Sequence, residues 1–427
     1  IENQSIFKIH PVDIKGLKPK LLVKEGDQVK IGTPVLYNKL SEKVKFVSPA
    51  SGTIKNIQFG PRRVINEISI ESNGNTDEYV TFESYDEQKI IELSQDEIKR
   101  ILLESGAWTY IRQRPFSKIA NPDNNPKSIF ISGFNTSPLT PDLNFIFENK
   151  NSGFQTGINA LSKLTNGKVH LSVSKKTDST FTSVENVEIH TFNGPHPAGN
   201  IGIQIHHVDP LNLGDIVWYI DIQDVCAIGN TIQNGKFDVT KIITVGGSGV
   251  KSPEYIKTRR CASIGSFLQN NIIKDKKTRI ISGDVLTGKI ASFDHAVGYY
   301  HQSVTVIEEG GNRDFLGWIS PGKSHYSASN TFLSKLFPNN KYAFNTKING
   351  SLRAIIPFGY WESVLPMDLI PNYLVRSILA QDIEEMEQLG IYECDEEDFA
   401  LCSFVCQSKF PVHTIIRDGL DMLEAEG

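Results

Sequence analysis

Apolar and polar residues alternate with period two from Lys8 to about Glu71, in short runs cut by turn signals. The clearest stretch is Val23-Lys-Glu-Gly26-Asp27-Gln-Val29-Lys-Ile-Gly32-Thr-Pro-Val35-Leu36, followed by Val44-Lys-Phe46-Val47-Ser48-Pro49-Ala-Ser-Gly52-Thr-Ile54. Such alternation half-buries a strand, and Gly-Asp and Ser-Pro-x-x-Gly close hairpins, so a small barrel or sandwich of hairpins is expected. The period then lengthens. Ser94 caps a helix predicted over 95–103, with Ile98, Ile101 and Leu102 as its apolar stripe. Beyond it, apolar runs at 128–132, 169–173 and 187–190 read as strands and 154–164 as a helix. This alternation predicts an α/β layer on a parallel sheet, whose ligands sit beyond the carboxyl ends of the strands. Attention therefore falls on Gly133–Asp142 and Phe192–Asn200.

From Val239 to Val306 the pattern returns to short strands and turns, around one helix that includes Ile264, Phe267 and Leu268. A compact β-grasp module fits. Past about Thr331, a helix is predicted from Pro371 to Leu389, stopped by Gly390, and another over 413–424. The expected fold class is thus α/β multidomain, in four segments: hairpin sandwich 1–95, α/β 96–255, β-grasp 256–330 and mostly helical 331–427.

The 427 residues carry 39% hydrophobic and 22% charged residues, the balance of an ordinary soluble protein. A net charge of −5 without a dense basic cluster argues against nucleic acid as a partner. The most apolar stretch, Ile216 to Ile228, is broken by Asp221 and Asp224, so no segment spans a bilayer. The first residues lack the apolar core of a secretory signal. Five scattered cysteines fit a reducing compartment better than a disulfide framework.

Three of those cysteines stand together as Cys394, Cys402 and Cys406. An iron–sulfur cluster wants four thiolates with short gaps, and zinc would want a histidine nearby, so the group reads as buried thiols packed as small hydrophobes, compatible with a degenerate descendant of a cluster-binding region. Asp395 and Asp398 suit the cap and third positions of a helix through this segment. His206-His207 reads as part of a strand, where neighbours face opposite ways and do not chelate one metal together. His196, between Pro195 and Pro197, lies on a rigid loop, structural or a donor to a ligand carbonyl. Val245-Gly-Gly-Ser-Gly249 follows a strand but opens no helix, so it is a tight turn, not a dinucleotide fingerprint. Lys39 and Lys43 lie where a lipoyl or biotinyl carrier domain bears its modified lysine, but without the carrier context. No nucleophile elbow or P-loop is present.

Longer blocks carry a resemblance. His196-Pro-Ala-Gly199-Asn-Ile-Gly202-Ile-Gln-Ile-His206-His207-Val-Asp209-Pro210, Val217-Trp218 to Val225, Ile281-Ser-Gly283 to Gly288, and Pro357-Phe-Gly359 through Asp398 to Cys406 resemble the NqrA family. Its members are one component of the six-part bacterial Na+-translocating NADH:quinone oxidoreductase. The resemblance implies a lipoyl-like barrel-sandwich hybrid without modification, an α/β domain like the NADH- and flavin-binding subunit of respiratory complex I and RnfC, an SLBB-like β-grasp domain and a helical end. It also implies a peripheral subunit on the cytoplasmic face of the bacterial inner membrane. Its partners would be the other five components, B to F, and chiefly B, which lies in the membrane. The complex oxidises NADH, reduces ubiquinone and exports sodium, with FAD, FMN, riboflavin and iron–sulfur held by other subunits.

Relatives in complex I hold flavin on a glycine-rich loop and an acidic segment. The matching positions here, Tyr110–Phe116 and Ser132–Pro138, place Arg112, Arg114, Asn135 and Ser137 where small or acidic residues would stand. Side chains keep backbone amides away from a phosphate. The resemblance therefore implies no cofactor bound by this chain, with Arg112 and Arg114 holding an acidic surface or plugging the pocket. It leaves ubiquinone as a possible ligand at the sheet end, with Trp108, Phe134, His196 and His206 as the residues available to it.

Overall fold

The computed structural model describes residues 4–74, 77–147, 153–177, 179–311, 316–337 and 339–426. The alternating segment pairs as its period predicts. One antiparallel sheet runs Ile6–Ile9, Ile65–Ser72, Gly52–Phe59, Gln28–Val29, and a second runs Pro19–Leu21, Pro34–Asn38, Ser41–Val47. Inward residues of both, among them Phe7, Val35, Leu36, Phe46, Ile68 and Ile70, share one core. Gly52 is required there: a Cβ would lie 1.9 Å from the Glu71 carbonyl oxygen on the neighbouring strand.

The second sheet system has the order Glu188–Phe192, Lys168–Ser174, Ser128–Gly133, Val217–Asp221, Arg112–Arg114, Lys118–Ile119. The first four strands are parallel and Arg112–Arg114 runs antiparallel to them. The helices Gln95–Ser105, Phe154–Ser162 and Ile222–Asn234 belong to this unit. Ser94 caps the first of these as expected, and Glu97 completes a capping box with it. Asp221 ends a strand and caps the next helix by accepting the Gln223 amide, which is why a polar residue interrupts the most apolar run of the chain.

A third sheet runs Glu254–Arg259, Thr240–Gly246, Ser303–Glu308, Thr278–Ser282, Lys289–Ala291, with the single turn of helix Gly265–Leu268 against it. Thr240–Gly246 pairs with both of its neighbours in this sheet, so it belongs with the third unit. The turn after it holds Gly247 at φ 113°.

The carboxyl-terminal helices share a core of Leu374, Ile378, Met386, Phe399, Val412 and Ile416. The single helix expected from Pro371 to Leu389 is two, Pro371–Ala380 and Ile383–Gln388. Gln381 adopts φ 60° and closes the first, while the Asp382 side chain caps the second through the Glu385 amide. An aspartate able to cap locally outcompetes continuation of the helix. Val412–Glu426 matches its prediction.

His206 and His207 lie on a helix, Ile201–Val208, not a strand. The alternation Ile201, Ile203, Ile205 misleads because this short helix is buried on both sides. Ile201 and Ile205 pack with Phe130 on the sheet, while Ile203 enters the carboxyl-terminal core. Asp395 and Asp398 are likewise not a helix cap: the following helix is Ala400–Val405, entered through Phe399.

Candidate functional site

The two segments singled out at the strand ends meet. Strand Ser128–Gly133 delivers Phe134–Pro138, and the loop before helix Ile201–Val208 delivers His196–Asn200 against it. Thr136 Oγ1 accepts the Gly199 amide at 2.9 Å and lies 3.2 Å from His196 Nδ1. Gln204 Nε2 donates to the Phe134 and Gly199 carbonyls at 3.2 and 3.1 Å. A Cβ on Gly199 would come within 2.4 Å of the Thr136 nitrogen, so glycine is what lets the loops close. Asn135 Oδ1 accepts the Ser137 amide at 2.8 Å, an Asx turn that spends both residues on their own loop. Phe134 and His196 are half-buried. His196 Nε2 is buried without a hydrogen-bond partner, and burial lowers the imidazole pKa against the pull of Asp284.

The other two residues named for a quinone lie elsewhere. Trp108 is wholly buried in the α/β core, its indole donating to the Ala120 carbonyl at 2.7 Å and standing edge-on to Trp218. His206 has both nitrogens engaged, Nδ1 with Glu393 at 2.6 Å and Nε2 with the Asp368 amide at 3.0 Å. His207 Nε2 lies 2.9 Å from the Pro366 carbonyl. The histidine pair straps the carboxyl-terminal unit to the α/β unit.

The loop Tyr110–Phe116 is filled by arginines and a tyrosine, with further tyrosines packed against it. The Arg112 guanidinium sits 4.5 Å from the Tyr219 ring and 4.6 Å from the Tyr300 ring. Beside it, Arg260 lies 4.0 Å from the Tyr110 ring and pairs with buried Asp224. Lys241 in the same cluster is pushed down to about 8, chiefly by burial, and Asp221 is pushed up to about 6, by burial and then by Asp224.

Arg114 is the centre of a second buried network. It reaches Glu397 at 2.8 Å and both Asp395 and Asp398 at 3.4 Å. Asp395 also accepts from Ser117 Oγ at 2.6 Å and pairs with Lys15 at 3.3 Å and Arg417 at 3.6 Å. Burial opposes ionisation of Asp395, but Lys15 and then Arg114 hold it well below the usual carboxylate range. Asp398 is pushed up to about 7: burial dominates, Arg114 pulls against it, and Glu397 and Asp395 add to the rise. Gly202 fits this centre, since a Cβ there would lie 2.1 Å from an Asp398 carboxylate oxygen. In the sequence Asp395 and Asp398 read as positions of a helix cap; nothing local reveals their partners Lys15, Arg114, Ser117 and Arg417.

Cys394, Cys402 and Cys406 are buried and unpaired. Two of their thiols approach backbone carbonyls, Cys394 that of Gly390 and Cys402 that of Trp361, both at 3.7 Å. Burial raises the pKa of both. Lys39 and Leu40 form the hairpin tip, and exposed Lys43 pairs with Asp123 at 2.9 Å. A cavity beside Trp361 and Cys406 and another beside His10 and Cys261 hold about 10 Å³ each, room for about one water, and neither borders Phe134 or His196.

One further cluster of side chains with potential ligand atoms carries no sequence motif. His170, Glu188 and His190 converge from two neighbouring strands. The only hint was Glu188-Ile-His190, an i, i+2 pair facing one way on a strand.

Comparison with known proteins agrees with this layout over its first three parts. Residues 1–73 match the NqrA N-terminal barrel-sandwich hybrid domain, 93–237 the NqrA second alpha/beta domain and 242–292 the NQRA C-terminal domain. The corresponding component of the Na+-translocating NADH-quinone reductase of Pasteurella multocida is 40% identical over 96% of this chain and 92% of its own. That of Rhodopirellula baltica is 38% identical over 97% and 91%. Among solved structures, a chain of an NAD+-reducing NiFe-hydrogenase covers 79% of this chain and 62% of its own at 11% identity, with a TM-score of 0.40, too distant to argue from. At such identity to the curated relatives across nearly its whole length, the chain belongs to the NqrA family of Na+-translocating NADH-quinone reductase subunits.

Proposed function

We propose that this chain is a peripheral subunit on the cytoplasmic face of the complex that carries no redox cofactor of its own. It supports electron transfer from NADH to ubiquinone, coupled to sodium export, by completing the assembly and docking on the membrane-embedded components, chiefly B. The observation that carries this reading is the Arg114 network. Side chains of the chain itself occupy the loop that would cradle a flavin; the Arg114 charge is paired internally at 2.8 to 3.4 Å, and Arg112 lies against the Tyr219 and Tyr300 rings. An arginine so paired has no charge left over for a phosphate. Among the described residues, no helix is long and apolar enough to cross a membrane. Docking is supported by the irregular segment before helix Pro371–Ala380, which exposes Leu336, Ile348, Leu352 and Phe358, a density of apolar surface that marks interaction sites.

The test is the purified chain alone. A colourless protein whose intact mass equals the unmodified polypeptide is expected. Tightly held flavin, or a mass increment of lipoyl or biotin on Lys43, overturns the reading.

One observation favours a second reading, in which the chain itself binds ubiquinone. His196 Nε2 is buried, unpartnered and beside Phe134-Asn135-Thr136 at the sheet end, the kind of group that donates to a quinone carbonyl. Loop opening would have to create the slot. Saturable, stoichiometric binding of a short-chain ubiquinone to the isolated chain, lost in His196→Ala and Phe134→Ala, would establish it. Absence of binding removes it.

A further inference from the structure

The edge of the parallel sheet brings together side chains that no assigned role uses. Glu188 and His190 leave the edge strand Glu188–Phe192 on one face, because residues two apart on a strand point the same way. In the adjacent strand Lys168–Ser174, His170 stands in register with Glu188, and Ser172 with His190. One ligand atom from each of His170, Glu188 and His190 lies within 4.8 Å of the others. His170 Nδ1 is 2.9 Å from His190 Nε2 and 3.7 Å from Glu188 Oε2.

We propose that His170, His190 and Glu188 form a binding site for a single divalent transition cation of the zinc type. Two imidazoles and one carboxylate are the donors such a cation prefers, whereas magnesium and calcium want oxygen alone. Tetrahedral bonds of about 2.0–2.1 Å put neighbouring ligand atoms about 3.3 Å apart. The observed 2.9 and 3.7 Å bracket that figure, so small ring and carboxylate rotations complete the set.

The local build suits ligation. His170 is 4% exposed and its ring lies 4.7 Å from that of Phe130, which fixes its plane. Glu188 and His190 are more open than His170, so a fourth position faces water. Glu188 has a second oxygen paired to Lys168 at 2.5 Å, which orients the carboxylate. The bland alternative is a plain imidazole–imidazole hydrogen bond with Glu188 serving Lys168 alone. It accounts for the 2.9 Å contact, and strand register alone brings Glu188 beside the pair, so metal titration is what separates the two. The site's consequence is mechanical. The edge strand runs directly into the His196–Gly199 loop, and a cation would clamp the start of that loop to the sheet.

The experiment uses the full chain without an affinity tag, stripped with a chelator and titrated with Co(II) and Zn(II). Expected are one-to-one saturable binding, visible d–d absorption without thiolate charge-transfer bands, and a rise in thermal midpoint. His190→Ala and Glu188→Gln, at the two more open positions, should each weaken binding at least about 10-fold while retaining the fold. His413→Ala should leave it unchanged. No saturable binding overturns the site, as does affinity equal to wild type in both variants or a thiolate spectrum, which would place the metal on cysteine.

Discussion

Arg114 and Asp398 lie 284 residues apart in the chain and meet at 3.4 Å with neither side chain exposed to solvent. Around them the α/β unit, the amino-terminal sandwich through Lys15 and the last helix through Arg417 all converge on one acidic turn. The Arg114 charge is thereby spent on holding the chain together.

Removing that charge should be costly. Arg114→Met leaves Asp395 and Asp398 buried beside an uncharged neighbour. Loss of one partner of a buried pair typically costs about 3–5 kcal/mol. Denaturant unfolding should show a loss of that size. Limited proteolysis should cut first near the junction to residues 371–426, because the anchor between units is gone. A loss under about 1 kcal/mol, the scale of an exposed pair, would refute the anchoring role.

The same turn predicts a pH dependence. The carboxyl of Asp398 is raised to about 7 in the folded chain and lies near 3.8 when unfolded. Between these values the folded state binds the extra proton, so stability falls as pH rises from about 4 to about 7. One group contributes a slope of at most about 1.4 kcal/mol per pH unit. Asp395 acts oppositely: its depressed pKa adds stability that is present above about pH 4 and lost only in stronger acid. Asp398→Asn should flatten the curve between about pH 5 and 7, measured by denaturant midpoints at each pH. An unchanged slope would show that Asp398 is ionised throughout.

Gly202 should be intolerant of any side chain. A methyl at this position would overlap the Asp398 carboxylate at 2.1 Å. Overpacking of this kind costs about 1–3 kcal/mol. Gly202→Ala combined with Asp398→Ala should destabilise less than the sum of the two single changes, since the clash disappears with the carboxylate. Strict additivity in the double-mutant cycle would show that the two residues do not touch.

All five cysteines should be silent in the native protein. Each is buried, and burial raises the thiol pKa of Cys226, Cys261, Cys394 and Cys402, so the reactive thiolate is scarce. A thiol reagent such as Ellman's should label none of them promptly at neutral pH and every one after denaturation. Prompt labelling of Cys394 or Cys402 would show that the carboxyl-terminal core opens.

The sequence by itself determined the elements whose signals are local. The Ser94 helix cap, the alternating hairpins before Glu71, the parallel strands at 128–133 and 168–174 and the closing helix all depend on residues within a few positions of one another. It also determined the family, through long ordered blocks. Only the tertiary structure decided the rest. Helix Ile201–Val208 hid its period because two neighbours bury it from opposite sides. The acidic turn at 395–398 became a buried hub because Lys15, Arg114, Ser117 and Arg417 come to it from distant parts of the chain. His170, Glu188 and His190 became neighbours through strand register. Desolvation and pairing are set by what lies across a contact, and a linear pattern does not carry that information.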